Sequence, residues 1–309
     1  MILCVGTTPA AQRVMVFRKL QTDAVNRAAN TLDGAAGKSV NVAKVLAKLG
    51  AQPVATGFVG GVRGDGLLQV LASRGIDAEF VKVSAPTRQC ISVLDQATRT
   101  VTELVEESQA VGLADYEKLR EIIRTRLPKC EAVVMFGSLT PGGPVDFYRM
   151  ITEQANARGI LSIVDAQGPP LIEALMAKPG LVKPNRLELS ATVQRSLDNE
   201  AAVISAMDEV RKRGARRIVV TAGKSAILAM DNDALWRIHS PVIEAVNPIG
   251  SGDSFTAGLV WRLTQNESLG EACRWAAAAG AANALSVMPG DVDKRDVERL
   301  LGEVKIQRL

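Results

Sequence analysis

The most informative segment of this chain is Asn247-Pro248-Ile249-Gly250-Ser251-Gly252-Asp253-Ser254. Its glycines let the backbone turn several N–H groups toward one point, and the amphipathic helix predicted to begin near Gly250 adds the positive end of its dipole. Such donors can hold the negative charge of a phosphoryl group in transfer, and Asp253 beside them could accept a proton from a hydroxyl. Alternatively, Asp253 only caps the helix; the spacing alone favours neither interpretation.

Strand-like apolar runs alternate with helix-length amphipathic segments over the rest of the chain. The runs occupy residues 2–5, 54–58, 132–136, 161–165 and 217–221. This alternation predicts a parallel sheet with helices on both faces. One of the helices is predicted to begin near Lys38 and to end at Gly50, a residue type suited to a C-cap.

Two segments interrupt the alternation. They contain strand-like runs, such as residues 91–94 and 100–105, with no helix between them. We therefore predict a β lid formed by residues 9–36 and 87–107. The core is predicted to comprise residues 1–8, 37–86 and 108–309.

The composition limits the possible functions. The net charge of +4 is small and the basic residues are scattered, which argues against a nucleic-acid partner. The single histidine and four well-separated cysteines provide no zinc site or disulfide framework, so we expect a reducing cytoplasm. Residues 272–288 are apolar but contain Arg274 and Asn283, which predicts a buried helix and no membrane partner.

Gly37-Lys38-Ser39 opens the first predicted helix and superficially resembles a phosphate-binding P-loop. The P-loop pattern requires a glycine five residues before Gly37, where this chain has Leu32. Lys38 beside free helix N–H groups is still a candidate anion site, and a solvated lysine is an equally acceptable interpretation.

Asn185 and Glu188 lie three residues apart, after the strand-like residues 180–182. On one helical turn their oxygens would face the same way, as water-mediated binding of Mg²⁺ requires. The same pattern is also a capping box, with Asn as the cap and Glu at its third position. Taken alone, the pattern favours the capping box.

Two glycine-containing loops follow other predicted strands, namely Gly137-Ser138 and Thr221-Ala222-Gly223. Loops at the carboxyl ends of parallel strands often contact ligands. His239 lies in a strand-like run, and we predict only a structural role for it.

Taken in order, these segments resemble the ribokinase-like, or PfkB-type, carbohydrate kinases from the first strand to about residue 290. Residues 250–254 resemble the GAGDS motif of that family, and residues 37–43 resemble its GGKGxNVA segment. The branch acting on phosphohexoses (1-phosphofructokinase, tagatose-6-phosphate kinase and the minor 6-phosphofructokinase) is the most similar. Further matches to that branch are Thr87-Arg88-Gln89, Thr102-Glu103-Leu104, Gly137-Ser138-Leu139, Pro141-Gly142 and Lys183-Pro184-Asn185.

The resemblance implies an α/β fold, specifically a ribokinase-like three-layer αβα sandwich with a mostly parallel central sheet and a small β-sheet lid. It also implies ATP and Mg²⁺ as cofactors, a sugar phosphate as acceptor, and a homodimer formed through the lids. The expected reaction moves the γ-phosphoryl group of ATP to a hydroxyl of a ketohexose phosphate.

The resemblance also assigns roles to individual residues. Asp253 is the expected base, and the backbone of Gly250, Ser251 and Gly252 the expected anion hole. The implied substrate-binding residues are Gln12, Gly37, Lys38, Asn41, Arg88 and Ser138. The implied ATP-binding residues are Lys183, Asn185, Thr221, Gly223 and Asn283, and Asn185 with Glu188 is the implied Mg²⁺ pair, acting through water.

Three positions depart from the family pattern. Gln12 replaces an aspartate that holds sugar hydroxyls, Pro248 replaces a threonine, and Ala226 replaces a glycine in the nucleotide loop. The acceptor sugar is therefore left open by the sequence.

Two alternatives compete with a phosphohexose kinase. A kinase of a non-phosphorylated sugar or nucleoside would have little use for two cations, Lys38 and Arg88, aimed at one place. A binding or regulatory protein that has kept the fold and lost turnover is disfavoured by Asp253 and favoured by Gln12 and Pro248.

Overall fold

The computed structural model describes residues 1–223 and 225–309, which form two sheets and the helices around them. In chain order the strands are β1 (Ile2–Gly6), β2 (Ala10–Phe17), β3 (Asn30–Ala36), β4 (Pro53–Val59), β5 (Asp77–Lys82), β6 (Arg88–Asp95), β7 (Thr100–Val105), β8 (Ala132–Phe136), β9 (Leu161–Asp165), β10 (Leu181–Val182), β11 (Ile218–Val220), β12 (Ile227–Met230), β13 (Leu235–His239) and β14 (Lys305–Arg308).

The helices follow the same order. They are α1 (Lys38–Leu49), α2 (Gly61–Ser73), α3 (Leu113–Arg126), α4 (Phe147–Asn156), α5 (Pro169–Met176), α6 (Arg186–Val193), α7 (Glu200–Lys212), α8 (Ser251–Leu263), α9 (Leu269–Ala284) and α10 (Lys294–Leu301). As predicted, α1 ends at Gly50, which adopts the left-handed conformation of a C-cap.

The larger sheet has the strand order β14-β13-β12-β11-β10-β9-β8-β1-β4-β5. Neighbouring strands pair in parallel along the part of the sheet that contains β5, β4, β1, β8, β9, β10 and β11. At the other edge, β12, β13 and β14 add antiparallel pairs. One apolar core lies between this sheet and α1, α8 and α9, and a second lies between the sheet and α3, α4 and α7. Burial of both faces explains why the central strands are continuously apolar. The predicted three-layer α/β sandwich is confirmed.

The smaller sheet has the order β3-β2-β6-β7 and is the predicted lid. Its buried face carries Val14, Val16 and Leu94, which pack against Val287 and Met288 of the core. Its four strands fall inside the two ranges predicted for the lid, although the exact domain limits remain a prediction. The outer strand β7 is largely exposed.

The sequence predicts a buried helix at residues 272–288, and residues 272–284 do lie in α9, whose alanine-rich face is buried against α8. The helix ends at Ala284, so residues 285–288 are outside it and only half-buried. Within the described ranges, no helix is both long and apolar enough to cross a membrane.

Candidate active site

The chain topology brings the polar ends of several elements to one edge of the larger sheet. Asp165 is the last residue of β9, Lys183 directly follows β10, and Gly137 directly follows β8. Because these strands are parallel, their carboxyl ends meet at the same edge. Lys38 enters from the first turn of α1 and Asp253 from the first turn of α8.

Four of these side chains, Lys38, Asp165, Lys183 and Asp253, form what we call the charged cluster. Asp165 Oδ1 lies 3.0 Å from Lys38 Nζ, and Asp165 Oδ2 lies 3.0 Å from Lys183 Nζ. Thr256 Oγ1 also donates to Asp165 Oδ2 at 3.0 Å. Asp165 and Lys183 are buried, so their charges are compensated inside the protein and not by water.

The two carboxylates of the cluster have opposite pKa shifts. Burial alone would raise the pKa of Asp165, but Lys183 and Lys38 outweigh it and lower this pKa to about 2. Burial raises the pKa of Asp253 to about 6, with a smaller contribution from Asp165, although Lys38 and Asn41 favour the ionised form. Asp165 is therefore a fixed negative charge, whereas Asp253 can exchange a proton near neutral pH.

Lys38 carries most of the positive charge that faces Asp253. Burial would lower the pKa of its ammonium, but Asp165, Glu188 and Asp253 together raise it. Glu188 Oε1 lies 3.6 Å from Lys38 Nζ. The ammonium is thus permanently charged and already surrounded by carboxylates.

Asn41 connects α1 to Asp253. Its Nδ2 donates to Asp253 Oδ2 at 2.8 Å, and only 4% of the residue is exposed. Its Oδ1 is buried and has no hydrogen-bond partner among the described residues. A buried acceptor without a partner is costly, which suggests that a ligand hydroxyl completes it.

The backbone before α8 turns as the glycines predict. Gly250 has a φ of 83°, in the left-handed region that favours glycine. Within the described residues, the N–H groups of Gly252 and Asp253 have no acceptor, as expected at a helix N-terminus. The N–H of Ser251, by contrast, donates to Pro248 O at 3.1 Å and is used within the turn.

A cavity of about 370 Å³ borders the charged cluster and is lined by Lys38, Glu188, Arg88 and Ser138. Arg88 donates from Nε and Nη2 to Thr8 O, at 3.2 and 3.1 Å. The guanidinium is therefore held at the cavity wall by a neutral carbonyl, which leaves its charge available to an anion.

Gly37 precedes α1 at its N-cap, as the sequence predicts. Gln12 lies on β2 of the lid, buried, and its Nε2 donates to Ser92 Oγ at 2.9 Å and to Arg13 O at 3.2 Å. Gln12 is not among the residues that line the 370 Å³ cavity. Its predicted contact with sugar stays a prediction.

Asn185 and Glu188 form the capping box that the sequence allowed. Asn185 Oδ1 accepts from Glu188 N at 2.9 Å, and Glu188 Oε2 accepts from Asn185 N at 2.8 Å. The remaining carboxylate oxygen, Glu188 Oε1, faces Lys38. The cap leaves Glu188 Oε1 outside its hydrogen bonds, and the predicted role of Asn185 and Glu188 in water-mediated Mg²⁺ binding stays a prediction.

An open cleft of about 620 Å³ lies beside the carboxyl ends of β10 and β11. Asn185, Thr221 and Gly223 line it, and their predicted contact with ATP stays a prediction. Asn283 lines neither of these two cavities, because it is fully buried. Its Nδ2 donates to Ile249 O at 2.8 Å, and its Oδ1 accepts from Gly290 N at 2.7 Å. Its predicted contact with ATP stays a prediction, and the contacts seen are internal ones.

Asp165 is the central residue that sequence reasoning missed. Its only sequence signal is its position as the polar last residue of an apolar parallel strand. Such a residue is common at strand ends, and its lysine partners come from sequence positions 127 residues before and 18 residues after it.

The chain is similar to known carbohydrate kinases over nearly its whole length. The pfkB family carbohydrate kinases match residues 1–293. Tagatose-6-phosphate kinase from Staphylococcus epidermidis is 29% identical over 309 residues, covering 99% of each protein. Phosphofructokinase-2 from Escherichia coli, in complex with potassium, has a TM-score of 0.89 at 27% identity and 98% coverage of both chains.

A possible 1-phosphofructokinase from Thermotoga maritima has a TM-score of 0.91, covering 100% of this chain and 99% of that one. At 24% identity, this similarity supports the fold alone. Because the family match spans nearly the whole chain and includes every element of the charged cluster, the chain belongs to the pfkB family of carbohydrate kinases and is a phosphotransferase.

Proposed function

We propose that the protein transfers the γ-phosphoryl group of ATP to a hydroxyl of a ketohexose phosphate, of the fructose 1-phosphate, fructose 6-phosphate or tagatose 6-phosphate class. The observation that carries the proposal is the pairing of Asp253, with its pKa raised to about 6, and Asn41, with its unpaired buried oxygen. The Asp253 carboxylate and Asn41 Oδ1 are two hydrogen-bond acceptors side by side, an arrangement that suits two neighbouring hydroxyls of a sugar.

Asp253 is the proposed general base. A carboxylate with a pKa near 6 is mostly ionised at neutral pH and is more basic than an ordinary aspartate. It would accept the hydroxyl proton as the sugar oxygen attacks phosphorus. The free N–H groups of Gly252 and Asp253 would stabilise the charge that develops on the phosphoryl oxygens.

Asp165 would orient the two lysines and stay ionised throughout. Its oxygens hold Lys38 and Lys183 at 3.0 Å, so both ammonium groups are fixed before substrates bind. Fixed charges in a buried site stabilise a transition state without reorganising.

Mg²⁺ fits the same edge of the sheet. It commonly keeps several waters and uses one or two carboxylates together with substrate phosphates, and Glu188 Oε1 is such an oxygen. Asn185 would hold Glu188 in place through the capping box and face the same waters. When bound, Mg²⁺ would neutralise charge on the ATP phosphates.

The substrate's own phosphate would occupy the 370 Å³ cavity, where Arg88, Lys38 and Ser138 meet.

One observation favours the alternative acceptor, a non-phosphorylated sugar or nucleoside. Lys38 is already compensated by Asp165 and Glu188, which leaves Arg88 as the cation held only by carbonyls.

Coupled ADP release with a panel of acceptors tests the proposal. The panel compares fructose 1-phosphate and fructose 6-phosphate with fructose, and tagatose 6-phosphate with tagatose. A nucleoside is tested as well. We expect at least one phosphorylated acceptor to give a kcat/KM at least about tenfold above its unphosphorylated partner. Equal rates within each pair would contradict the phosphohexose assignment, and no ADP release with any acceptor would contradict the kinase itself.

We also propose that two copies pair through their lids. Leu104 and Val105 on the outer strand β7 are 53% and 47% exposed, and an exposed apolar edge strand is a common site of pairing. Light scattering of wild type and of Leu104→Lys should show a dimer and a monomer, respectively. A monomeric wild type would contradict this proposal.

A further inference from the structure

Lys44 is a fully buried lysine that the proposed mechanism does not use. It lies on α1, and only 1% of its surface is exposed. Its Nζ donates to Ala35 O at 2.7 Å and to Pro289 O at 2.6 Å. Ala35 belongs to the lid strand β3, whereas Pro289 lies between α9 and α10. The ammonium thus connects the lid to residues 287–290, which we call the 287–290 segment.

Two more buried side chains hold the 287–290 segment. Asn247 Nδ2 donates to Val287 O at 2.8 Å, and Asn283 Oδ1 accepts from Gly290 N at 2.7 Å. Both asparagines are fully buried. Buried polar groups are costly unless paired, and here three of them converge on four consecutive residues. The position of this segment is therefore closely specified.

The 287–290 segment packs directly against the turn before α8. A Cβ placed on Gly250 would lie 3.0 Å from Pro289 Cβ and 3.1 Å from Gly290 N. On the lid side, a Cβ placed on Gly34 would lie 3.3 Å from both Sδ and Cε of Met288. Any shift of the segment would therefore disturb both the Gly250 turn and the lid.

Backbone carbonyls, not a carboxylate, hold the Lys44 ammonium. Burial, with a smaller contribution from Arg74, lowers the pKa of Lys44 to about 7, although Asp291 and Asp253 favour the charged form. Arg74 and Asp291 pair with each other at 3.0 Å. No carboxylate among the described residues forms a salt bridge with Lys44.

We propose that Lys44 is a positioning residue of the phosphoryl-transfer site, fastening the 287–290 segment to lid strand β3 and thereby setting the turn at residues 250–253 relative to an acceptor under the lid. This inference rests on the proposed kinase function. Lys44 orients the donors and the base without touching substrate. Because these groups act mainly on the transition state, its loss should lower kcat more than it raises KM.

Lys44→Met tests the proposal, because it keeps an unbranched stem and removes every donor. Lys48→Met is the matched control, since Lys48 lies one turn further along α1 and is exposed. We expect Lys44→Met to lower kcat at least about tenfold with the KM for ATP and acceptor within about threefold, and Lys48→Met to change neither beyond about twofold. An unchanged kcat, or a loss confined to KM, would overturn the proposal.

Amide hydrogen exchange on the full chain separates this inference from the proposed function. Lys44→Met should speed exchange at the Gly290 N–H and at residues 250–254, while α3 on the opposite face keeps its protection. No local change would overturn the role of Lys44, even if the wild type is an active kinase. A wild type without kinase activity would overturn the proposed function, while the exchange result would still decide whether Lys44 fixes the segment.

Met288→Ala covers the case in which Lys44→Met does not fold. It loosens the lid side of the same contact without leaving a buried polar group unpaired. We expect faster exchange at Gly290 and a kcat lowered at least about threefold. Wild-type exchange and kcat in this variant would overturn the coupling.

Discussion

The charged cluster and the lid sheet hold their polar side chains in opposite ways. In the cluster, Asp165 is buried and both of its oxygens have partners at 3.0 Å. In the lid, the ion pair of Arg13 and Asp33 is largely exposed, with side-chain exposures of 43% and 62%. Charges interact strongly in the dry interior and weakly at a wet surface. The cluster should therefore control stability and turnover, and the lid should control affinity and choice of acceptor.

Asp165→Asn should produce the largest effect and tests the buried side of this comparison. It leaves Lys183 and Lys38 without their buried carboxylate, and breaking such a pair typically costs about 3–5 kcal/mol. Asp33→Asn in the lid removes a closer but exposed pair and should cost less than about 1 kcal/mol. Urea unfolding of the two variants measures both losses of unfolding free energy. Equal losses would show that burial does not distinguish the two regions.

The wild type should also lose stability in acid through Asp165. Its pKa in the folded protein, about 2, is below its ordinary value of 3.8. The stabilisation is therefore fully present above about pH 4 and is lost as the pH falls through 2. Asp165→Asn should lack this dependence in unfolding curves taken across that range.

Asp253→Asn should lower kcat at least about a hundredfold, because the amide keeps the shape but cannot accept the proton. ATP binding, followed by titration calorimetry, should stay close to wild type. Near-normal turnover would reduce Asp253 to a helix cap. In the wild type, kcat/KM should rise with pH up to about 6 and then level off, as Asp253 ionises.

The raised pKa of Asp253 affects stability in the opposite direction to the lowered pKa of Asp165. Its value of about 6 lies above the ordinary 3.8, so ionising Asp253 costs folding free energy and stability falls as the pH rises from about 4 to 6. Asp253→Asn should therefore be more stable than the wild type at pH 8 and similar to it at pH 4. Thermal unfolding at the two pH values checks this sign.

Arg88→Ala tests the lid side of the comparison. Loss of a charge-assisted contact to the acceptor's phosphate should cost about 1.5–3 kcal/mol, mainly as a higher KM for the sugar phosphate, with the KM for ATP little changed. Lys38→Ala should raise the same KM and also lower kcat, because Lys38 compensates Asp165. If both variants lose phosphorylated and unphosphorylated acceptors equally, the phosphohexose assignment is wrong.

Gln12→Asp should give the smallest effect and concerns only the choice of acceptor. An aspartate would accept hydrogen bonds from sugar hydroxyls more strongly than the amide that now donates to Ser92. We expect at least one of the three hexose phosphates to gain about tenfold in kcat/KM, or about 1.4 kcal/mol. An unchanged acceptor profile would show that residue 12 is away from the sugar.

Local sequence patterns were enough to predict most of the elements and the turn before α8. Apolar runs such as β8 form strands and the periodicity from Lys38 to Leu49 forms α1, because burial of a face is a local property of the pattern. The glycines before α8 specify their own left-handed turn. Asp253 could be named as a candidate because it lies in that turn, but the spacing favoured neither a base nor a helix cap, and its role as the base stays a prediction.

Which charged groups lie next to one another depends on the tertiary structure. Asp165 gains Lys38 from α1 and Lys183 from the end of β10, and Lys44 gains carbonyls from β3 and from the 287–290 segment. These partners are distant in sequence, so no local spacing announces them. The pKa values of Asp165 and Asp253 depend on burial and on those partners, which is why two identical side chains acquire opposite pKa shifts only once the chain has folded.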